Sequence, residues 1–436
     1  MFRKKRWILV LGICFTLCLC SLKIDTIKAA SDDIYSQIKV LAQILVYVRE
    51  NYVEEPDLKK LIYGAADGMV KTLDPFSQFM EPQAAKEMKV HTEGHFGGLG
   101  IRITTSKDGW ITVVTPMPGT PAWRMGILPE DKIIKIEGVI AKDLTTDQAV
   151  EKLRGKPGTK VTITIGREGV ALFDLTITRE DIPIVTVTDT KILENSIGYF
   201  RITEMTAKTT EELDKALTDL SKQGMKSVII DLRNDPGGLL FTAIDICKRF
   251  IGNKKLIVYT QGRRFPKQEF LADETAQYPD IPIMVLINRG SASGAEIVAG
   301  CLQDHKRAIV IGMQSFGKGS VQSLLPLEGD ASLRLTTQKY YTPSGRCIHR
   351  DEKSKTWGII PDIVVDITRE AEIALQKQEI DTEIKNAKDR DKKYDVSVST
   401  YSVYTSTEPA QKVILKDEIL ERAVQIIKVR DILLKQ

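Results

Sequence analysis

Histidine and cysteine are both scarce. Four histidines (His91, His95, His305, His349) occur in 436 residues, and none follows a run that reads as a core strand, so the usual general base is missing. No His/Cys/Asp cluster has ligand spacing, which leaves metal chemistry without a site, and no cofactor is implied. Three of the six cysteines (Cys14, Cys18, Cys20) fall near the start; Cys247, Cys301 and Cys347 are an odd, scattered set that argues against a disulfide framework. Cys247 and Cys301 read as small buried apolar side chains. Proline (17) and glycine (30) are too few for a fibrous or low-complexity chain, and 42% hydrophobic with 28% charged residues is a globular balance. At ~150 residues per domain the length suggests about three domains.

Excess charge is also lacking. The formal net charge is +4, but Arg3, Lys4, Lys5, Arg6, Lys23 and Lys28 against Asp25 give residues 1–30 a charge of +5, leaving −1 for the rest. A near-neutral body gives no reason to expect nucleic acid. The basic start precedes sixteen uncharged residues, Trp7–Leu22, the layout of a secretory signal or an N-terminal membrane anchor, so the remainder is expected outside the cytoplasm. Sixteen is short of the ~20 of a full span, which leaves anchor and cleaved signal both open. Lys28-Ala29-Ala30 is a poor cleavage site, and Leu19 before Cys20 spoils a lipoprotein reading.

From Ser31, Ile34, Ile38, Leu41, Leu45, Val48 and Tyr52 make one stripe of an amphipathic helix stopped by Pro56. Asp57 caps a second helix carrying Leu58, Leu61, Ile62, Ala65 and Met69. Between Phe96 and Arg179 the pattern turns to short alternating strands (Gly100–Thr104, Trp110–Thr115, Lys132–Glu137, Val161–Ile165) with brief helices at Pro121–Met125 and Thr146–Arg154. Gly97-Gly98-Leu99-Gly100-Ile101 opens this module; glycines there can aim successive N–H groups into one concavity, as a carboxylate needs, although a plain tight turn is commoner. From Ile182 strands (Ile197–Ile202, Val228–Leu232, Leu256–Thr260, Ile283–Ile287, Ala308–Ile311) alternate with helices (Glu211–Lys222, Leu239–Phe250, Ala295–Leu302), an α/β core with a sheet covered on both faces. Beyond Asp366 the chain is charged and helical, with Lys385–Tyr394 a solvated face or linker and Ile414–Leu434 a last amphipathic helix.

Reactive crevices of open α/β sheets lie outside the carboxyl ends of the strands. Three loops leave strands there: Arg233–Gly238, Asn288–Glu296 and Gly312–Gly319. They offer backbone donors, hydroxyls and an amine, the minimal kit for acyl transfer. Ser291 or Ser293 would sit at a helix N-terminus, where serines commonly only cap. Lys318 serves as base only when neutral, so its surroundings must pull its pKa down from ~10.4. Gly312-x-x-x-x-Gly317-Lys318 mimics a phosphate loop, but Gly319 replaces the Mg²⁺-holding Ser/Thr and a strand-like run comes next where a helix is needed.

With these residues in place, the sequence resembles the carboxyl-terminal processing proteases, exported serine peptidases with a PDZ domain and a Ser-Lys dyad. The likeness runs from about Tyr35 to Asp366. It rests on Leu73-Asp74-Pro75-Phe76-Ser77, Phe96–Ile101, Asp231–Gly238, Gly290-Ser291-Ala292-Ser293, Phe316–Gln322 and Tyr341–Arg346, taken together and in this order. The resemblance implies an α/β core of the crotonase/ClpP-like kind with an inserted β-rich PDZ domain and flanking helical segments. Its parts would be a leader or anchor (1–30), an N-terminal helical segment (31–88), a PDZ domain (89–180), the peptidase core (181–366) and a C-terminal helical segment (367–436). In this family the nucleophile precedes the lysine by 25 residues, which selects Ser293. Lys318 would be the base, Gln322 would position it, and the oxyanion hole would come from N–H groups of Gly237 or Gly238 and of Gly294. Family members usually have Ala and Ser where this chain has Gly294 and Ala295.

The resemblance further implies that Gly98, Leu99, Gly100 and Ile101 bind a substrate's free C-terminus and that this module gates the enzyme. It also implies protein or peptide substrates, homodimers built by terminal helices, and an activating partner left open. Two other readings stand beside it: an idle extracytoplasmic PDZ adaptor, and a crotonase-type acyl-thioester enzyme, which would need an adenine-nucleotide pocket. The stretch His349–Lys355 reads as an exposed loop without a role derivable from sequence.

Overall fold

Six strands lie side by side in the main sheet of the computed structural model, which describes residues 34–378, apart from 107, 118, 352–353, 369, 373 and 376–377, and residues 415–433. The expected leader with its three cysteines, the expected helix start at Ser31 and the Lys385–Tyr394 stretch lie outside the described residues. Strand order is Val187–Leu193, Ile197–Ile202, Ser227–Asp231, Ile283–Ile287, Ala308–Gly312, Ile363–Val364. The first pair is antiparallel and the others are parallel. Parallel strands buried on both faces require unbroken apolar runs, and Ser227–Asp231 and Ile283–Ile287 are buried at every position. Val228 and Ile230 face the helices Thr209–Lys222, Leu240–Lys248 and Gly294–Asp304 within one apolar cluster. Ile229 faces a second cluster on the other side, closed by Ile419, Ala423 and Ile427 of the helix Glu418–Leu433.

One expectation is corrected here. Leu256–Thr260 does not join the main sheet: the strand Leu256–Gln261 pairs antiparallel with Gln268–Leu271 and with Ser332–Tyr341. An apolar β-branched run reports burial, which both sheets provide, and does not report its neighbour. The C-terminal helix lays Ile419, Ala423 and Ile427 on the main sheet and leaves Val429, Ile432 and Leu433 exposed. Cys247 and Cys301 are buried free thiols, whereas Cys347 is half-buried.

The chain divides into two compact units. One comprises residues 1–81 with 325–334, the other 82–324 with 335–436. In the first, residues 34–51 are helical and Asp57 accepts the Lys59 and Lys60 N–H groups to cap Leu58–Lys71. The division at Glu81–Pro82 falls ahead of residue 88 because Pro82–Glu93, a mostly polar helix without a stripe to betray it, goes with the larger unit.

Within the larger unit, the module between Phe96 and Arg179 is a sheet of Ile101–Thr105, Ile111–Pro116, Lys132–Ile136, Lys160–Gly166 and Phe173–Thr178, with Val139–Ile140 at its side. Lys160–Gly166 alternates between buried and open positions, as a half-buried strand must. Thr145 and Gln148 form a capping box that starts the helix Thr146–Leu153. That helix and the strand Ile101–Thr105 border a groove of about 210 Å³. Gly98, Leu99, Gly100, Ile101 and Arg154 all line it. Entry and exit of the module are joined as a two-stranded ribbon, His95–Gly98 against Glu180–Pro183.

Candidate active site

The three loops meet because the strands that launch them, Ser227–Asp231, Ile283–Ile287 and Ala308–Gly312, are adjacent in the sheet. The first two are locked by a reciprocal pair: Asn234 N–H donates to Asn288 Oδ1 at 2.8 Å and Asn288 Nδ2 to Asn234 Oδ1 at 2.8 Å. The lysine loop is tied to the serine loop by the Phe316 N–H, which donates to Ser291 O at 2.9 Å.

The structure separates the two serines that sequence spacing could not. Ser291 is fully buried; its hydroxyl donates to Leu232 O at 2.8 Å and accepts the Asn288 N–H at 2.9 Å, so it holds two loops together. Ser293 is half-buried and adopts φ 54°, ψ −114° immediately before the helix Gly294–Asp304. A non-glycine residue at positive φ is strained by about 1–3 kcal/mol and persists only where its surroundings impose it.

Glu296 is what imposes it, and sequence reasoning misses this residue. Its fully buried carboxylate accepts four hydrogen bonds: Ser293 N–H and Lys318 N–H on Oε2, both at 2.8 Å, and Ser315 Oγ at 2.6 Å and Gly317 N–H at 2.7 Å on Oε1. The Ser293 and Lys318 nitrogens are therefore no further apart than twice 2.8 Å. Burial pushes the Glu296 carboxyl above its ordinary pKa, against the pull of those four donors. The signal available in sequence is the spacing Ser293-x-x-Glu296, that of a capping box. Tyr340, on the strand Ser332–Tyr341, is also missed, being 47 residues from Ser293. Its hydroxyl donates to Ser293 O at 2.9 Å and lies in reach of Lys318 O as well.

Lys318 is half-buried. The next element along the chain is the strand Ser320–Pro326, not a helix, which removes the phosphate-loop reading. Gln322 on that strand donates through Nε2 to Ser320 Oγ at 2.9 Å and reaches Thr336 Oγ1 at 3.4 Å.

Of the glycines proposed for the oxyanion hole, Gly237 is corrected: its N–H donates to Asp235 Oδ1 at 2.7 Å and is not available. Burial holds the Asp235 carboxyl well above the ordinary range. Among the described residues the Gly238 and Gly294 N–H groups make no hydrogen bond. Gly238 can only be glycine, since at φ 151° a Cβ would lie 2.0 Å from Met205 O. The turn abuts the serine directly: a Cβ on Gly237 would stand 2.8 Å from Ser293 Cβ and 2.4 Å from Gly294 N.

Known proteins share this arrangement of parts. Residues 196–365 match peptidase family S41, residues 112–167 a PDZ domain, and residues 21–84 the N-terminal domain of the activating protease CtpB. The chain is 42% identical over 372 residues to the carboxy-terminal-processing protease of Bartonella bacilliformis, covering 82% of this chain and 83% of that one. It is 36% identical over 321 residues to carboxy-terminal processing protease CtpA of Bacillus subtilis, covering 73% and 67%. To the carboxyl-terminal-processing protease of Synechocystis it is 36% identical over 326 residues, covering 73% and 74%. The chain belongs to the carboxy-terminal-processing proteases of peptidase family S41, serine-type hydrolases that carry a PDZ domain.

Proposed function

We propose that Ser293 and Lys318 are the nucleophile and base of this peptidase. The observation that carries the reading is that one buried carboxylate, Glu296, binds the backbone N–H of both. Ser293 Oγ attacks the scissile carbonyl carbon and its proton passes to Lys318 Nζ. The oxyanion that forms takes the Gly294 and Gly238 N–H groups, at a helix N-terminus whose dipole favours negative charge. The tetrahedral intermediate collapses, the C–N bond breaks, and Lys318 returns the proton to the leaving amine. Water, deprotonated by Lys318, then hydrolyses the acyl-serine. Gln322 positions Lys318 from the following strand.

The groove at Gly98–Ile101 captures the substrate's free C-terminus as an added strand. The ribbon His95–Gly98/Glu180–Pro183 carries that event to the core: it leads into the carboxylate loop at one end, and at the other Ile184 N–H donates to Gly94 O just ahead of the strand Val187–Leu193. The enzyme acts outside the cytoplasm behind its leader, on protein or peptide tails. Residues 34–51 keep Ile34, Ile38 and Leu41 at 60%, 55% and 43% exposure, a stripe suited to homodimer formation.

The test compares the full chain with Ser293→Ala and Lys318→Ala on an unstructured protein bearing a free or an amidated C-terminus. Cleavage abolished in both variants and weakened by amidation supports the reading. Cleavage surviving in either variant refutes the dyad, and indifference to amidation refutes tail capture.

A further inference from the structure

Glu296 holds the N–H side of Ser293 and of Lys318; the carbonyl side of the same two residues converges on one hydroxyl. Tyr340 Oη donates to Ser293 O at 2.9 Å and lies in hydrogen-bonding reach of Lys318 O. Both backbones are thus gripped at both ends, by the same two side chains. We propose that Tyr340 is a positioning residue of the peptidase, which with Glu296 forms a cross-brace fixing the nucleophile and the base as one rigid pair. The inference rests on the assignment of Ser293 and Lys318 as the reacting pair and extends it.

The chemistry of the position argues for the hydroxyl rather than the ring. Tyr340 is 1% exposed and packs in the main apolar cluster, a role phenylalanine would fill equally well. A buried hydroxyl is unfavourable unless bonded, and this one meets carbonyls of the two residues assigned to the chemistry. Burial, with the Glu296 charge beside it, keeps the phenol protonated. With a single proton and two acceptors in reach, Tyr340 serves Ser293 and Lys318 alternately, and either bond opposes separation of the loops. Ser293 needs such restraint, because its φ of 54° would relax without it. Misplacing reacting groups by about 1 Å costs about 10²-fold in rate.

The test uses the full chain and Tyr340→Phe, reading kcat, KM, thermal unfolding, affinity for a peptide with a free apolar C-terminus, and the pH dependence of kcat. The brace predicts a kcat lower by about 10²-fold, with KM and tail affinity within twofold and the melting temperature nearly unaltered. It also predicts that the acid limb of the kcat profile is displaced, because Glu296, whose carboxylate holds the same two backbones, is then left to hold them alone. A kcat and acid limb within twofold of the parent overturn the proposal, as does a rate loss matched by the loss of folded protein. If Tyr340→Phe does not fold, Tyr340→Met, a flexible apolar side chain without the hydroxyl, carries the test: kcat reduced about 10²-fold with tail affinity retained upholds the brace, and kcat within twofold of the parent overturns it. With Ser293→Ala and Lys318→Ala inactive and Tyr340→Phe fully active, only the brace fails; activity in either of the first two removes the dyad itself.

Discussion

The backbone N–H groups of Ser293 and Lys318 donate to the same oxygen, Glu296 Oε2, each at 2.8 Å. Two segments 25 residues apart in sequence thereby share one anion. Its protonation turns one acceptor into a donor facing N–H groups, and the two loops lose their common anchor.

Acid should therefore silence the enzyme before it unfolds it. The Glu296 pKa is raised by burial, so as pH falls the carboxyl protonates above the ordinary glutamate value and activity drops there. The sign for stability is opposite: a raised folded-state pKa contributes stability that is full below the unfolded value and lost as pH rises through the folded one. Parallel titrations of kcat and thermal unfolding should show rate falling first, with the fold intact. Coincident loss of both would contradict this.

Ser291→Ala should leave cleavage within a few-fold of the parent and lower stability by about 1–3 kcal/mol, since Leu232 O and Asn288 N–H lose a buried partner. Denaturant midpoints alongside a cleavage assay check this; an inactive, fully stable Ser291→Ala would make Ser291 the nucleophile.

Much of this site is legible in sequence because loops after apolar runs advertise themselves. Ser293, Lys318, Gly238 and Gly294 all lie in such loops, and the elements that launch them can be placed to within a few residues. The resemblance leaves Gly237 and Gly238 both open because it cannot tell which of two adjacent N–H groups an aspartate side chain will take; Asp235 takes the first. Glu296 is hidden by its own charge, for a glutamate next to a helix start reads as solvated, whereas here it is fully buried. Tyr340 has no local signal, since the strand that brings it back to Ser293 is a tertiary event. Leu256–Thr260 reads into the wrong sheet because strand pairing is not encoded in burial alone.

Gly294, where the family resemblance leads one to expect alanine, faces Met205. A Cβ on Gly294 would stand 2.7 Å from Met205 Sδ. Gly294→Ala should push the oxyanion donor out of line and lower kcat by roughly 10-fold with KM unchanged. Met205→Val, which removes the δ atom, should restore most of that rate at a stability loss of about 1 kcal/mol. Steady-state kinetics of the single and double variants decide it; no recovery in the double variant would sink the steric account.

Arg233 ties the end of the strand Ser227–Asp231 to Asp417, just ahead of the C-terminal helix. It binds Asp231, which is fully buried, and Asp417 through two bonds of 2.7 and 2.8 Å. Arg233→Ala takes from buried Asp231 its bonded cation, leaving it the Tyr199 hydroxyl and the backbone N–H of residue 233, and should cost about 3–5 kcal/mol. Asp417→Ala touches only the half-exposed side and should cost about 1 kcal/mol. Burial raises the Asp231 pKa, but Arg233 overrides it and the net shift is downward, so this stability is present above the unfolded value and lost as pH falls through the folded one. Urea unfolding of both variants tests the ordering, which equal losses would contradict.

The most direct measurement of the central claim is acylation of the full chain by a fluorophosphonate probe, followed by mass mapping of the labelled peptide. The account predicts label on Ser293, at a rate that collapses in Lys318→Ala. Label on Ser291, or an undiminished rate without Lys318, would contradict it.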